Sequence, residues 1–151
     1  MADLLTHVAV ANLCGKSSKD AQTRTLFLIG TCVPDVTYKG LHFLAGSPSW
    51  LAEPSHSPLP LLFLSFGLAM LFAESFRKRA FTALYLGSLL HVLIDLGKSY
   101  SGQGVILWGF PFTMDRIELG LYRPEMAVYL MGAAALLFLA TEFIFRKSRP
   151  L

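Results

Sequence analysis

Long apolar stretches separated by short clusters of charge run along the whole chain. The longest one, residues 54–73, contains no Asp, Glu, Lys or Arg over 20 residues. About 20 apolar residues are enough to cross the hydrocarbon core of a bilayer. Two further stretches, residues 80–96 and 126–145, are also almost free of charge. The pattern therefore predicts three transmembrane helices.

The first third of the chain has a weaker pattern. Residues 4–14 and 26–34 are apolar but short, and a polar segment separates them. Asp20 is a suitable N-cap for a helix that would reach Pro34. The two pieces predict either two short helices packed in the bundle or a re-entrant pair protected by the other helices. We therefore expect residues 1–151 to form a single all-α, membrane-embedded domain of about five helices, three of them transmembrane.

Positive charge clusters at three turns of this predicted bundle. Nine of the 13 Lys and Arg residues lie within residues 16–24, 77–79 and 146–149. If each helix crosses the membrane and the chain then reverses, these turns share one side, which the positive-inside rule places in the cytoplasm. The opposite side then carries the other four basic residues, Lys39, Lys98, Arg116 and Arg123.

The composition supports the membrane assignment and excludes several classes of protein. Hydrophobic residues make up 54% of the chain and charged residues 15%, whereas soluble domains carry about 25% charged residues. A net charge of +3 without a basic helix face predicts no nucleic-acid binding. Cys14 and Cys32 are too few for a disulfide framework or a zinc finger. No phosphate-binding glycine loop and no Gly-x-Ser-x-Gly elbow is present.

The polar residues within the apolar segments are the candidates for chemistry. His91 and Asp95 are four residues apart on a predicted helix, so they share one face, and both are costly to bury in lipid. The predicted topology brings Asp35 and His56 to the same membrane level, and His7 can reach it from the first helix. Imidazoles and carboxylates in this combination suit zinc or a similar divalent ion. Such an ion would activate a bound water for attack at neutral pH.

Simpler interpretations of the same residues stay open. Asp95 lies near the end of its segment, where a carboxylate could simply mark the membrane interface. A single histidine in an apolar helix is more often a hydrogen-bonded structural residue than a ligand. His42 has no partner at a useful spacing, and we expect it to be structural.

The order of these motifs resembles a known family, the inner-membrane-associated metal-dependent hydrolases that are also described as LexA-binding. The resemblance extends from about residue 4 to residue 125 and implies an enzyme of the bacterial inner membrane. The motifs that carry it, in chain order, are Thr6-His7, Pro34-Asp35, Ser55-His56-Ser57, Leu90-His91-Val92-Leu93-Ile94-Asp95 and the stretch from Gly104 to Phe112.

The ligand order is also similar to that of zinc-dependent phospholipase C. This second resemblance implies that Asp95 bridges two metal ions, that Asp35, His56 and His91 complete one site, and that His7 serves the other. It also implies a phosphoester substrate. The chain departs from both patterns, because Asp35 is not followed by a second carboxylate two residues later and no histidine follows His91.

We therefore expect a metal-dependent hydrolase, with zinc as the metal, that acts on a membrane phosphoester such as a lipid headgroup. Arg116 or Arg123 would hold the phosphate, because a guanidinium matches its geometry, and the loop from Trp108 to Phe112 would wall the site. Two alternatives stay open: a non-catalytic membrane protein with a structural His/Asp cluster, and a small transporter that handles metal or protons. Nothing in the sequence predicts an oligomer.

Overall fold

Helices account for all the regular secondary structure in the part of the chain that the computed structural model describes, which is residues 4–16, 18, 20–44, 46, 49–99 and 106–147. Five helices have 12 or more residues, and α3 is a single turn. The helices are α1 (Leu4–Gly15), α2 (Ala21–Lys39), α3 (Ser49–Ala52), α4 (Pro58–Ala69), α5 (Glu74–Leu96) and α6 (Ala127–Lys147). Three shorter turns complete the path: a π-helical turn at Gly40–Leu44 and 3-10 turns at Glu53–His56 and Pro124–Met126. The predicted all-α fold is confirmed.

Two helix starts follow the capping signals in the sequence. The side chain of Asp20 accepts the backbone N–H groups of Gln22 at 3.2 Å and Thr23 at 3.3 Å, as an N-cap does. Pro58 occupies the first position of α4, where its missing N–H has no partner to lose. The start at Asp20 agrees with the sequence prediction.

Three predicted boundaries are wrong. α2 does not end at Pro34 but continues to Lys39, so Asp35 lies inside the helix. α4 covers 12 residues rather than the whole of residues 54–73, because a 3-10 turn precedes it and the chain turns at Met70. α5 begins at Glu74, and an acidic side chain is favourable at the positive end of the helix dipole. Because α5 starts there, the basic residues 77–79 lie within the helix and not in a turn.

Among the described helices, only α5 is long and apolar enough to cross a membrane. α1 and α4 have 12 residues each, so each is about 18 Å long at about 1.5 Å per residue, shorter than a bilayer core of about 30 Å. Among the described residues of α6, the apolar segment is Gly132–Thr141. The three predicted spans therefore become one candidate span.

α2 and α5 form the most extensive helix pair in the bundle, and two glycines set how closely they approach. A Cβ added to Gly30 would lie 2.3 Å from the carbonyl oxygen of Leu84, and one added to Gly87 would lie 2.2 Å from that of Phe27. Such distances leave no room for a side chain at position 30 of α2 or at position 87 of α5. Small residues at a helix crossing allow this kind of backbone contact.

The same crossing explains why α2 passes through Pro34. A proline has no N–H for the carbonyl four residues earlier, which here belongs to Gly30. The Ser88 hydroxyl of α5 lies 2.9 Å from that carbonyl oxygen and is positioned to donate to it. The same hydroxyl is also 2.9 Å from the Leu84 carbonyl in its own helix. A side chain of α5 therefore supplies the donor that the proline removes.

Buried apolar side chains form two clusters, one toward each end of the α2–α5 pair. The first contains Leu26, Ala69, Ala80, Ala83 and Leu84. The second contains Val33, Leu61, Val92, Leu96 and Ile106. Ile106 is 1% exposed and belongs to the long loop between α5 and α6, so this loop packs on the helices at the end where α2 and α5 finish.

The glycine contact predicts a large difference between two identical substitutions. Gly87→Ala pushes α5 away from the Phe27 carbonyl, and such overpacking costs about 1–3 kcal/mol. Gly67→Ala, on α4, meets no atom within 4 Å and is expected to stabilise its helix by about 0.5–1 kcal/mol. Unfolding of the purified protein followed by circular dichroism measures both changes. Equal effects at the two positions would contradict the role given to Gly87.

Candidate metal centre

Five polar side chains from four segments meet where α2 and α5 end. His91 and Asp95 come from the last two turns of α5, Asp35 from the end of α2, His56 from the 3-10 turn before α4, and His7 from α1. His7 and His91 are 1% exposed, and His56 and Asp95 are 7% exposed. A buried His/Asp group that could hold a metal ion is therefore present, formed by the residues that the topology predicted to meet.

Four atoms of this group face one another. Nε2 of His91 is 3.2 Å from Oδ2 of Asp95 and 3.9 Å from Oδ1 of Asp35. Nε2 of His56 is 3.8 Å and 3.6 Å from the same two oxygens. In a tetrahedral site with bonds of about 2.0–2.1 Å, the ligand atoms are about 3.3 Å apart. The histidine-to-carboxylate distances of 3.2–3.9 Å lie at or somewhat above that value. The ligand atoms of Asp35, His56 and His91 lie within 4.8 Å of one another and form a group of three that could hold an ion, with Asp95 beside it.

The hydrogen bond made by Nδ1 of His91 determines that Nε2 is the ring nitrogen able to bind a metal. Nδ1 lies 2.8 Å from the Thr31 carbonyl oxygen, which only accepts, so Nδ1 carries the proton. In the neutral ring Nε2 then bears the lone pair, and a backbone partner of this kind is typical of metal-bound histidines. Nε2 has no hydrogen-bond donor or acceptor in suitable geometry among the described residues. Because it faces a carboxylate oxygen that is also an acceptor, a cation between them is favoured.

His56 is held from two sides. The Ser55 hydroxyl lies 3.1 Å from its Nδ1, and the ring of Tyr38 meets it edge-on, with 5.7 Å between ring centroids. These contacts fix the ring plane and direct Nε2 toward Asp35 and Asp95. The role of Ser55 and Tyr38 was not predicted from the sequence, although Ser55 is adjacent to the histidine that it supports.

Each carboxylate presents its second oxygen to a lysine. Oδ2 of Asp35 accepts a hydrogen bond from Lys39 at 3.0 Å, and Oδ1 of Asp95 accepts one from Lys98. Sequence reasoning placed both lysines on this side of the bundle but gave them no role at the site. The spacing of Lys39 four residues after Asp35 becomes a signal only when α2 continues past Pro34, which the sequence did not predict, and Lys98 lies just after the end of α5.

The surroundings of Asp35 keep its carboxyl ionised. The side chain of His56, opposed by partial burial and supported by Lys39, holds the pKa of Asp35 well below its usual range. A metal ligand must be deprotonated to bind. Asp35 therefore offers a carboxylate at neutral pH without any further change.

A second group, formed by His7, His91 and Asp95, is less well suited to a metal ion. The His91 ring has a single lone-pair nitrogen and serves one ion only. Nε2 of His7 is 3.1 Å from Oδ1 of Asp95, the oxygen that already contacts Lys98, and its ring stacks on His91 with 4.0 Å between centroids. The geometry therefore favours one ion, with His7 orienting Asp95, over the two ions that the phospholipase resemblance implies.

The two arginines expected to bind phosphate have no contact with this cluster among the described residues. Arg116 donates to Glu53 at 2.8 Å, and its side chain is 42% exposed. Arg123 is exposed. His42 packs against the rings of Tyr38 and Phe43 and lies outside the His/Asp group.

The loop expected to wall the site lies beside the turn that carries His56. Leu107 and Phe110 line a cavity of about 270 Å³ together with Glu53 and Pro54 of that turn. Trp108 and Phe112 are 41% and 86% exposed and do not line it. The first part of the quoted stretch, residues 104–105, lies outside the described residues.

No family model, curated protein or solved structure matches this chain. The resemblances to membrane metal-dependent hydrolases and to phospholipase C therefore stay predictions.

The support of His56 by Ser55 predicts a specific loss. Ser55→Ala removes the hydroxyl at Nδ1, and loss of such an outer partner lowers metal affinity about 10–100-fold. Ser65→Ala is the matched control, because Ser65 on α4 is also buried and its hydroxyl has no hydrogen-bond partner among the described residues. Zinc titration of both variants measures the effect. An unchanged affinity in Ser55→Ala would show that the ring does not need this contact.

Proposed function

We propose that this chain is a membrane-embedded hydrolase that uses one divalent cation, with zinc the best match, to cleave phosphoesters such as those of lipid headgroups. One observation carries the proposal. Nε2 of His56 and of His91 each lie within 3.9 Å of the same two carboxylate oxygens, from Asp35 and Asp95, at a buried point. Four ligand atoms from three separate segments rarely converge in this way unless a cation joins them, since buried charges need partners.

Exposed apolar side chains support the membrane location. Phe63, Leu93, Leu136 and Phe143, on α4, α5 and α6, are 65%, 52%, 70% and 73% exposed. Extended apolar surface of this kind is typical of contact with a membrane or a partner. In the proposed arrangement α5 crosses the bilayer, α4 and α6 accompany it, and the basic clusters face the cytoplasm of a bacterial cell.

The ligand set suits hydrolysis because one side of it is accessible. The side chain of Asp35 is 25% exposed, against 9% for His56 and Asp95 and 1% for His91. A substrate would therefore approach from the Asp35 side. A divalent ion held there would supply a water that ionises near neutral pH and would polarise the phosphoryl oxygen.

The lysines provide the charge that a phosphoester requires. Negative charge on the phosphoryl oxygens must be stabilised as the reaction proceeds, and cationic side chains do this well in a dry site. The ammonium groups of Lys39 and Lys98 contact the outer oxygens of the ligand carboxylates, so they lie at the edge of the centre. The side chain of Lys39 is 33% exposed, so it can contact a substrate. Arg116 is a weaker candidate because it donates a hydrogen bond to Glu53.

A second candidate function has its own support. Catalytic zinc commonly has three protein ligands, whereas structural zinc has four in a closed tetrahedron. Asp95, which faces both His56 and His91, would be that fourth ligand here. The chain would then be a non-catalytic membrane protein whose helix ends are joined by a metal ion. Metal binding is common to both candidates, and hydrolysis separates them.

Metal content and hydrolysis measured on the same samples test the proposal. The purified chain is expected to bind about one zinc ion and to hydrolyse bis(4-nitrophenyl) phosphate, because one complete ligand set is present. His91→Ala and Asp95→Asn should each lose the ion and the activity. His42→Ala is the matched control, since it removes a histidine outside the cluster, and it should keep both.

The outcomes are distinct. Equal zinc in all four proteins would contradict the ligand assignment. Zinc that depends on His91 and Asp95, with no cleavage of this diester or of phospholipids, would leave the structural candidate and overturn the hydrolase.

The lysine assignment predicts a separate kinetic effect. Lys39→Gln should raise the KM for the phosphodiester about tenfold, the loss expected for about 1.4 kcal/mol of binding, while the zinc content stays unchanged. Arg116→Gln removes one of the two arginines that the sequence predicted to bind phosphate, and it should leave KM nearly unaltered. The reverse pattern would return the phosphate-binding role to Arg116.

A further inference from the structure

A larger cavity lies at the other end of the bundle. It has a volume of about 760 Å³ and is bounded by the end of α1 and the first halves of α2 and α5. Along α2 its lining residue nearest to Asp35 is Phe27, which precedes Asp35 by about 12 Å at about 1.5 Å per residue. None of the five His/Asp residues lines it.

Two of the basic clusters in the sequence meet at this cavity. Arg24 belongs to the cluster before and at the start of α2, and Lys78 and Arg79 belong to the first turns of α5. Sequence reasoning placed these clusters on one side of the membrane but did not predict that they share a pocket. The helix pair joined at Gly30 and Gly87 brings them together.

The lining changes from charged to apolar along both helices. On α5, Lys78 and Arg79 are followed two turns later by Leu86, and on α2, Arg24 is followed by Phe27. Charge therefore lies at the helix starts and apolar surface toward the middle of the bundle. A ligand with an anionic head and an apolar tail has the matching polarity.

The single acidic residue in the lining does not cancel its positive charge. Asp20 accepts the backbone N–H groups of Gln22 and Thr23 and the hydroxyl of Thr23, so its carboxylate is engaged in capping α2. Three basic side chains face one carboxylate, which leaves the lining with a charge of +2. Arg24 also donates to Oδ1 of Asn12 at 2.7 Å, a contact that holds its guanidinium on the α1 side of the cavity.

We propose that this cavity binds an anionic phospholipid, with the phosphodiester at Lys78, Arg79 and Arg24 and an acyl chain against Phe27 and Leu86. Basic pockets between membrane helices on the cytoplasmic side bind anionic headgroups in this way. The proposal rests on the membrane location proposed above but not on the metal centre or on hydrolysis. Since no metal-ligating residue is near, the lipid is bound and not cleaved here.

Native mass spectrometry of the full chain, released from detergent, tests the proposal. The protein is mixed with phosphatidylglycerol or with phosphatidylcholine that has the same acyl chains. Retention of phosphatidylglycerol is expected to exceed that of phosphatidylcholine, and Arg79→Gln should weaken it about fivefold, the factor that corresponds to about 1 kcal/mol per basic residue. Arg77→Gln is the matched control, because Arg77 lies on the same turn, donates to the Phe72 carbonyl and does not line the cavity.

Three results would overturn the proposal: equal retention of the two lipids, equal losses in Arg77→Gln and Arg79→Gln, or displacement of phosphatidylglycerol by inorganic phosphate at the same concentration. The last would show that the acyl chain contributes nothing. Circular dichroism melting of each variant reports whether it is folded. The assay contains no added zinc and measures retention of intact lipid, and the Arg77 and Arg79 variants lie outside the His/Asp group, so its failure leaves the proposed metal centre untouched.

Discussion

The close contact of α2 and α5 at Gly30 and Gly87 is the constraint on which the rest of the structure depends. With side chains at either position the two backbones could not approach, and the Ser88 hydroxyl would not reach the carbonyl that Pro34 leaves without a donor. The same approach allows Nδ1 of His91 to reach the Thr31 carbonyl. Backbone packing in the middle of the bundle thus orients a side chain at its end, and the orientation of the His91 imidazole depends on the two glycines.

Electrostatics then divides the bundle into two ends with different partners. At one end, two carboxylates face two imidazoles with their inner oxygens and two lysines with their outer ones. This arrangement lowers the cost of burying the two carboxylates. It also places the candidate metal site beside two lysines whose positive charge suits a phosphate. At the other end, basic residues outnumber the single engaged carboxylate in the cavity lining. In the arrangement that we propose, a membrane lies between these two ends and the apolar helix faces lie in lipid.

The sequence predicted the members of the His/Asp group because their cost in an apolar environment makes them conspicuous, and because a four-residue spacing places His91 and Asp95 on one face. It did not predict the length of α2, since the rule that proline ends a helix is local, whereas the compensating Ser88 is distant in the chain. The charge-free stretch of residues 54–73 predicted a helix longer than α4 for a similar reason, because the 3-10 turn at Glu53–His56 shortens α4. The pairing of Arg116 with Glu53 is a tertiary contact with no signal in spacing, and the contact of Lys39 with Asp35 has a helical spacing only because α2 continues past Pro34.

X-ray absorption at the zinc edge of the purified, zinc-loaded chain tests most directly whether a cation joins the helix ends. We expect a first shell of four nitrogen and oxygen ligands at about 2.0–2.1 Å, with outer-shell scattering from two imidazole rings, those of His56 and His91. Scattering from no imidazole, or a first shell of water alone, would show that the side chains at this point do not ligate a metal and would overturn the proposed metal centre.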